Sequence, residues 1–463
     1  MPANDSPDVL VARFLLANNY HETFQAFVRE TNLTPDSITT SPDDLTIEKI
    51  LEEKKLYDFA VRFEKLNLAA GAVDFSVPYP SSQTTLTTSL TTSNILSITL
   101  SSFLIPSTNK GADLPAAGRP QTVIISTSAD KNLRIYDACA PHDLLHTSPV
   151  DLHAGPILSV VAVSNRWLIT GSMAGDIAIS DLAGTVFQRW EGHKKFVVKL
   201  AISEPISSTS PEGASDASET AEVRYLAAAS YDKSLSIHKL HIPHSKSHPP
   251  RLEFLHALEF PQTVEDVLFS KDFADTSPSS SAPLLIATIR DSAYLHIYTP
   301  TPHPSQPFAL STKASLTATS TTWLTYTPTS LTPHPQHPHL LALLTSSLPA
   351  PKLLIYNLQT RAVDSAISVP VTLSAFSTGI VAWRGDTPAS GVWVNGDDGV
   401  VKCVELRSGE VKAELKAHDG RKVRCLVGGS IPVDSGDDGD EEELLVSGGF
   451  DGTLKVWKVP KEV

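Results

Sequence analysis

Aspartate and histidine side chains are the first candidates for chemistry in this sequence, because both can transfer protons or bind metal ions. Asp130, Asp232 and Asp451 each occur in a short turn-forming stretch. An Asp in such a turn accepts hydrogen bonds from backbone N–H groups, so a structural role is favoured over a catalytic one. His193 and His418 are interpreted as hydrogen-bonded structural residues in the same way. We therefore predict no catalytic residue.

Metal, cofactor and disulfide chemistry have little support in the residue pattern. Residues 333–339 place histidines among prolines, which could bind a metal weakly, but a Pro-rich loop is the favoured interpretation. Cys139, Cys403 and Cys425 form no close pair, which argues against a disulfide framework and a Cys-based zinc site. The sequence has no phosphate-binding Gly loop, no His-Glu-x-x-His helix and no Ser-His-Asp motif context. We predict neither a metal nor a cofactor.

The composition is typical of a globular protein with an acidic balance. The chain has 463 residues, of which 37 are basic and 51 acidic, giving a formal charge of −14. This balance makes nucleic-acid binding unlikely, since duplex DNA requires a basic face. No apolar stretch is long enough to span a membrane, and the N-terminus lacks the pattern of a secretion signal. We expect a soluble intracellular protein, located in the cytoplasm, the nucleus or both.

The turn aspartates belong to a unit that recurs along the chain. Residues 126–137 contain a small-residue strand, a tight turn and an alternating strand, and residues 170–181 and 447–457 repeat this order. Looser copies lie between them. The marker position near the end of each copy is occupied by Tyr136, Ser180, His238, Tyr298, Tyr356, Val404 and Trp457.

This unit resembles the WD-repeat family of β-propellers, and seven copies imply seven blades, with six or eight as alternatives. In the family, a His, a strand Ser or Thr, the turn Asp and the strand Trp form a hydrogen-bonded set. Blade seven carries all four residues of this structural tetrad: His418, Ser447, Asp451 and Trp457.

The other copies match the family pattern less well. Blade three keeps His193 and Asp232 but has Ala228 and His238 at the remaining two positions. His153 is a weaker match in blade two, and blades four, five and six lack the His.

The chain ends shortly after Trp457, so blade seven has only three strands of its own. A Thr-rich segment around residues 84–89 is rich in strand formers, and we expect it to add the missing strand and remove an exposed edge. The expected domains are a helical region at 1–67, a linker with the ring-closing strand at 68–92, and the propeller at 93–463. Long inserts are interpreted as solvated loops: 204–222, 271–283, 299–307, 332–339 and 434–443.

The first residues predict two short helices, broken at Asn18-Asn19, because apolar residues recur three and four positions apart. Further helical turns are expected from Thr46 to Leu66. The first helices resemble the LisH motif, with Asn19 at the usual Gly of the break. The resemblance implies dimerisation into a small four-helix bundle; the alternative is the core of a single helical hairpin. The candidate dimerisation residues are Leu10, Phe14, Leu15, Tyr20, Phe24 and Phe27.

The WD-repeat resemblance also implies a partner-binding surface. In that family, the residue before the turn Asp projects on the top face, where partners dock. Aromatic residues and Arg dominate binding energy at interfaces, although Tyr231 and Phe450 could simply shield their turns. The candidate partner-binding residues are Met173, Tyr231, Arg290, Asp397 and Phe450, with Ala129 at the same place in blade one.

These features together indicate a non-enzymatic scaffold or adaptor that dimerises through LisH and binds other proteins on its propeller. Proteins of this architecture act in ubiquitin ligases, dynein and microtubule regulation, splicing and transcriptional corepression. We expect a subunit of a larger complex, with ubiquitin-ligase and dynein- or microtubule-related roles ranked equally. The alternatives are a splicing or corepressor scaffold and a propeller enzyme with an active site in the central channel.

Overall fold

The computed structural model of the chain describes residues 7–34, 38, 46–47, 75, 77–87, 93–104, 120–148, 152–206, 220–243, 248–273, 283–303, 306–316, 327–346, 351–374, 377–385, 390–432 and 441–460. The chain forms two compact units, Met1–Ala72 and Val73–Val463. We describe each unit by itself.

The first unit contains helices α1 (Pro7–Ala17) and α2 (His21–Thr31). The break between them lies where the sequence predicts it. Asn19 has a left-handed φ of 60°, the Tyr20 N–H donates to the Leu15 carbonyl (2.9 Å), and the Asn19 N–H donates to the Leu16 carbonyl (3.1 Å). This is the Schellman pattern that ends helices, with Asn in the place usually taken by Gly. No described helix is long and apolar enough to cross a bilayer.

The further helical turns predicted from Thr46 to Leu66 lie outside the described residues, apart from Thr46 and Ile47.

The second unit is built from strands grouped into seven four-stranded antiparallel sheets, so the predicted mainly-β, seven-bladed propeller is confirmed. The chain enters it through β1 (Ser82–Thr87). Blade one contains β2 (Ile95–Leu104), β3 (Pro120–Ser128), β4 (Leu133–Asp137) and β5 (Leu144–Thr147). Blade two contains β6 (Ile157–Val163), β7 (Trp167–Ser172), β8 (Asp176–Asp181) and β9 (Val186–Glu191). Blade three contains β10 (Val197–Ile202), β11 (Thr220–Ser230), β12 (Ser234–Pro243) and β13 (Arg251–Glu259). Blade four contains β14 (Val264–Lys271), β15 (Pro283–Ile289), β16 (Tyr294–Pro300) and β17 (Phe308–Ser315).

The remaining blades follow the same order. Blade five contains β18 (Thr327–Pro333), β19 (Leu340–Ser346), β20 (Lys352–Asn357) and β21 (Ala362–Ser368). Blade six contains β22 (Val381–Trp383), β23 (Val392–Asn395), β24 (Val400–Val404) and β25 (Val411–Lys416). Blade seven contains β26 (Val423–Pro432), β27 (Glu441–Gly449) and β28 (Thr453–Lys458). All seven marker positions fall on the third strand of a blade.

Strand β1 completes blade seven. It pairs antiparallel with β28 in a register that runs from Ser82 opposite Lys458 to Thr87 opposite Thr453. The Thr-rich segment around residues 84–89 predicts this pairing, and the observed strand begins two residues earlier, at Ser82. The last blade thus joins the two ends of the propeller and leaves β28 with partners on both sides.

The blades are held together by apolar clusters between neighbouring sheets. Residues of blades two and three share one cluster, which includes Ile179 and Leu240, and residues of blades four and five share another, which includes Ile297 and Leu354. The central strands are buried on both faces because each sheet is covered by the next one. Their sequences are therefore runs of apolar residues, as in β20, where Leu353 to Tyr356 are all buried.

An arginine anchors the chain where it enters the propeller. Arg384 follows β22, is 1% exposed, and donates from Nη2 to the Pro78 carbonyl (3.0 Å). Its guanidinium carbon lies 4.5 Å from the ring centre of Phe75, and its Nε lies 3.3 Å from a carboxylate oxygen of Glu443 in β27. One buried cation therefore links the entry segment to blades six and seven.

The prediction of a solvated loop at 332–339 holds only for its middle part, because residues 335–338 are exposed and lie outside the strands. Thr332 and Pro333 belong to β18, and His334 is fully buried. The His334 Nδ1 atom accepts hydrogen bonds from the backbone N–H groups of Gln336 (3.1 Å) and His337 (3.0 Å). These bonds satisfy backbone N–H groups of the loop that joins β18 to β19, so the histidine stabilises this loop.

Candidate protein-interaction face

The turns between the second and third strands of six blades share one backbone contact. The first strand of each blade lines the channel, and we call it the inner strand. In each of these turns, the residue predicted for the top face donates its N–H to a carbonyl in the segment that leads into the inner strand of the same blade, over 2.8–3.0 Å. The donor and acceptor pairs are Ala129–Asn94, Met173–Pro156, Tyr231–Phe196, Arg290–Thr263, Asp397–Thr372 and Phe450–Lys422. These six residues are therefore structurally equivalent and lie on one face, which we call the top face.

Most of these turns contain a left-handed residue at the same place. It is Lys131, Gly175, Lys233, Gly399 or Gly452, with φ between 68° and 90°. Space also matters in blade two, because a Cβ on Gly175 would lie 2.4 Å from the His193 carbonyl oxygen. The turns are thus fixed by local chemistry before any partner binds.

The predicted tetrad residues of blade seven form a chain of hydrogen bonds below the top face. His418 Nδ1 lies 3.0 Å from the Asp451 carboxylate, and His418 Nε2 lies 3.1 Å from Ser447 Oγ. Trp457 donates from Nε1 to the same Ser447 oxygen (3.4 Å). The indole nitrogen can only donate, so Trp457 donates to Ser447. The Ser447 hydroxyl then donates to His418 Nε2, and His418 Nδ1 donates to Asp451.

Blade three has the same chain with two exchanged residues. His193 Nδ1 lies 3.0 Å from Asp232, as in blade seven. Its Nε2 lies 2.9 Å from Ser236 Oγ, on the third strand, and His238 Nε2 lies 2.9 Å from that same oxygen. His238 therefore donates where Trp457 donates in blade seven.

Sequence reasoning missed this replacement because it looked for the hydroxyl at position 228. Ala228 on β11 pairs directly with Ser236 on β12, so the hydroxyl has moved across the strand pair. Ser236, two positions before the marker residue His238, is the feature of the sequence that could have indicated the replacement.

Blade two also holds a histidine–aspartate pair that the sequence analysis did not assign. His153 Nδ1 lies 2.8 Å from Asp176, and its Nε2 lies 2.7 Å from Thr170 Oγ1. The carboxylate comes from the first residue of β8 and not from the turn itself, which is why the turn pattern did not reveal it.

In blades three and seven, burial favours the neutral form of the imidazole that contacts the turn Asp. Burial lowers the pKa of His193 and His418, and the nearby Asp232 and Asp451 only partly oppose this. Burial alone would raise the pKa of Asp451, but hydrogen bonds from Thr453 and the contact with His418 hold it below its usual value. The His193–Asp232 and His418–Asp451 pairs are thus hydrogen bonds between an imidazole and a carboxylate. These two turn aspartates have a structural role.

Tyr231 and Arg290 lie together on the top face at the mouth of the central channel. The guanidinium carbon of Arg290 is 5.2 Å from the ring centre of Tyr231, a cation–π contact. Arg290 also pairs with Glu265 over 2.6 Å, and the Tyr231 hydroxyl lies 3.4 Å from the same carboxylate. The two predicted residues therefore form one cluster, which Glu265 completes.

The other predicted top-face residues are separate from this cluster. Asp397 accepts hydrogen bonds from the Ser374 N–H (2.9 Å) and Ser377 hydroxyl (2.8 Å), and pairs with Lys422 (3.1 Å). Phe450 is 38% exposed. Met173 is half-buried in the turn of blade two.

The central channel contains a cavity of about 600 Å³ lined by the inner strands of all blades. Its carboxylates, Glu265 and Asp266, were missed by sequence reasoning because nothing distinguishes inner-strand residues in the sequence. Arg290 pairs with Glu265 and Lys199 pairs with Asp266, at 2.6 and 3.4 Å. Among the described lining residues there is no histidine, and nowhere in the described part of the chain do three His, Cys, Asp or Glu residues group to hold a metal ion.

The predicted dimerisation residues lie on both helices of the first unit. Val9 and Ala12 of α1 are buried, whereas α2 has no buried residue. Tyr20, between the helices, is 53% exposed. The remaining predicted residues are half-buried: Leu10, Phe14, Leu15, Phe24 and Phe27.

Comparisons with known families agree with both parts of this description. Residues 8–31 match the family model described as LisH, and residues 409–458 match the one described as WD domain, G-beta repeat. The second match runs from the outer strand of blade six to the third strand of blade seven, so the sequence repeat is offset from the blade by one strand. No curated protein is similar enough to the chain to count as a match. The chain thus combines a LisH motif with a WD-repeat propeller, an architecture for protein interaction.

Proposed function

We propose that the protein is a non-enzymatic scaffold that self-associates through its LisH helices and binds partner proteins on the top face of its propeller. The observation that carries this proposal is the unburied apolar surface of the helices. Tyr20 is 53% exposed, and no residue of α2 is buried, although Phe24 and Phe27 lie on one side of it. Fully burying one such side chain contributes about 1.5–3 kcal/mol, so a second copy of the hairpin would stabilise both.

Self-association would pair two propellers in one particle. A partner that binds one top face then meets the second top face at an effective concentration set by the segments that join the two propellers. Its overall affinity increases without new contacts. The top face supports this role because its turns are held rigid by the hydrogen-bonded chains below them. A rigid surface loses little conformational entropy on binding.

We further propose that the protein is a subunit of a larger complex in the cytoplasm, the nucleus or both. The architecture supports ubiquitin-ligase and dynein- or microtubule-related assemblies equally, and splicing or corepressor assemblies are the alternative. The channel carboxylates favour a scaffold over an enzyme, because both Glu265 and Asp266 are already paired with cations.

Affinity capture with mass spectrometry tests the partner-binding part. The full chain and the double variant Tyr231→Ala/Phe450→Ala are expressed at equal levels with the same tag. We expect the variant to lose most partners while its melting temperature stays close to that of the wild type, because both side chains are partly exposed at the turns. Retention of every partner by the variant would contradict binding through the top face.

A further inference from the structure

Blades three, four and seven contribute a group of cations and aromatic rings to the top face and the adjoining channel. Lys194, Lys195 and Phe196 form the loop before β10, and Tyr231 and Arg290 occupy the equivalent turns of blades three and four. Arg424 lies on β26 and lines the channel together with Tyr231. We call this group the basic–aromatic patch: Lys194, Lys195, Phe196, Tyr231, Arg290 and Arg424.

The patch is one connected surface. The Tyr231 N–H donates to the Phe196 carbonyl (3.0 Å), and the two rings lie 6.3 Å apart. Arg290 covers the other part of the Tyr231 ring at 5.2 Å. Arg424 lines the same cavity as Tyr231 and brings a further positive charge from blade seven.

The nearby carboxylates are already engaged, whereas several cations are not. Glu265 pairs with Arg290, Asp232 contacts His193, and Asp291 contacts the Thr327 hydroxyl. Within the described ranges, no carboxylate pairs with the side chains of Lys194, Lys195 or Arg424. The patch therefore presents unneutralised positive charge on a chain whose formal charge is −14.

An exposed aromatic ring lies beside these cations and makes part of the patch apolar. Phe196 is 39% exposed, and Lys194 and Lys195 are exposed next to it. Cations form strong charge-assisted hydrogen bonds with carboxylates, and an exposed ring offers contact area to an apolar side chain. A ligand that satisfies both features has acidic groups next to one apolar residue.

We infer that the basic–aromatic patch binds a partner segment in which Asp and Glu flank an apolar side chain. This inference rests on the proposed function and specifies the partner's chemistry. A nucleic acid fits less well, because a chain with a formal charge of −14 repels a continuous phosphate backbone beyond the patch.

Fluorescence anisotropy with the full chain tests the inference directly. The probes are short labelled peptides in which Asp and Glu flank one Phe or Leu, and matched peptides in which Asn and Gln replace the acids. We expect the acidic peptides to bind at least tenfold tighter, because the neutral peptides cannot form charge-assisted hydrogen bonds with the patch. Binding should weaken as salt is added.

Two charge-reversal variants localise the binding. Lys195→Glu/Arg424→Glu reverses two of the three cations Lys194, Lys195 and Arg424 and should weaken acidic-peptide binding at least about tenfold. Lys313→Glu/Lys416→Glu changes the net charge equally, but at exposed positions of the outer strands β17 and β25, and should leave binding within about twofold of the wild type.

Four results would overturn the inference: no binding of any acidic peptide, equal binding of the neutral peptides, equal weakening in both variants, or tighter binding of a mixed-sequence single-stranded RNA. If cellular partners are still captured through Tyr231 and Phe450 when acidic peptides fail, this inference is wrong and the proposed function stands. If capture fails as well, both are wrong.

Discussion

His238, which takes the place of the tetrad Trp in blade three, makes the stability of the propeller sensitive to acid. Burial lowers the pKa of His238 from 6.5 to about 3, with a smaller contribution from His193. The unfolded chain therefore binds a proton at position 238 at pH values where the folded chain does not. The stability that depends on neutral His238 is present above about pH 6.5 and is lost as the pH falls toward 3.

The size of this effect follows from the two pKa values. Between pH 7 and pH 5 an unfolded His near 6.5 becomes almost fully protonated, while one near 3 stays neutral. The linkage relation then gives a loss of about 2 kcal/mol in the free energy of unfolding from this residue alone. His193 and His418 change stability in the same direction, because burial lowers the pKa of both.

The variant His238→Gln isolates the contribution of position 238. Glutamine keeps a side-chain N–H donor for Ser236 but does not titrate. We expect the variant to be less stable than the wild type at pH 7, because it loses the ring contact with Trp190 at 4.5 Å. The difference should shrink by about 2 kcal/mol at pH 5, where the wild type has lost the contribution of His238.

Urea denaturation at a series of pH values, followed by Trp fluorescence, measures these free energies. His303→Gln is the matched control, since His303 is exposed, and its stability curve should run parallel to that of the wild type. If His238→Gln loses as much stability between pH 7 and pH 5 as the wild type does, the argument from burial is refuted.

Two further perturbations test how the propeller is closed. Arg384→Ala should lower the free energy of unfolding by about 2–4 kcal/mol, because it removes a buried cation that binds the Pro78 carbonyl and Glu443. The control Arg407→Ala, at an exposed position, should change the free energy of unfolding by less than about 0.5 kcal/mol in the same denaturation assay. Deleting residues 71–92 removes β1 and exposes the edge of β28, so differential scanning calorimetry should show a lower melting temperature; an unchanged value would refute ring closure by this strand.

The repeating part of the fold could be predicted from the sequence because its signals are local. A small-residue strand, a turn and an alternating strand specify a hairpin wherever they occur, so even divergent copies such as the one ending at Val404 marked a blade correctly. The missing strand at the end of blade seven pointed to the Thr-rich segment for a similarly simple reason, since each blade needs four strands.

Contacts that depend on register could not be predicted. The hydroxyl of Ser236 replaces the one missing at Ala228 only because the two residues face each other across β11 and β12. The carboxylate of Asp176 reaches His153 from outside the turn for the same kind of reason. A sequence lists neighbours along the chain, whereas these hydrogen bonds depend on neighbours across strands.

Composition predicted residues 332–339 only in part, since residues 335–338 are exposed but His334 is buried. Prolines and histidines are typical of solvated loops, but His334 stabilises this loop with its Nδ1 atom and packs against Trp383, 4.6 Å between ring centres. The top-face cluster shows the opposite case. Tyr231 and Arg290 were identified from their place in the repeat, but their shared carboxylate, Glu265, became visible only when inner strands were brought together around the channel.

The mass of the particle in solution tests the central proposal most directly. Size-exclusion chromatography with light scattering should give about twice the 49.8 kDa chain mass for the wild type and the single chain mass for Phe14→Asp/Tyr20→Asp. The control Gln25→Asp/Ala26→Asp adds the same charge at exposed positions of α2 and should keep the doubled mass. A wild-type chain that elutes at the single mass, or a Phe14→Asp/Tyr20→Asp variant that keeps the doubled one, would contradict self-association through the LisH helices.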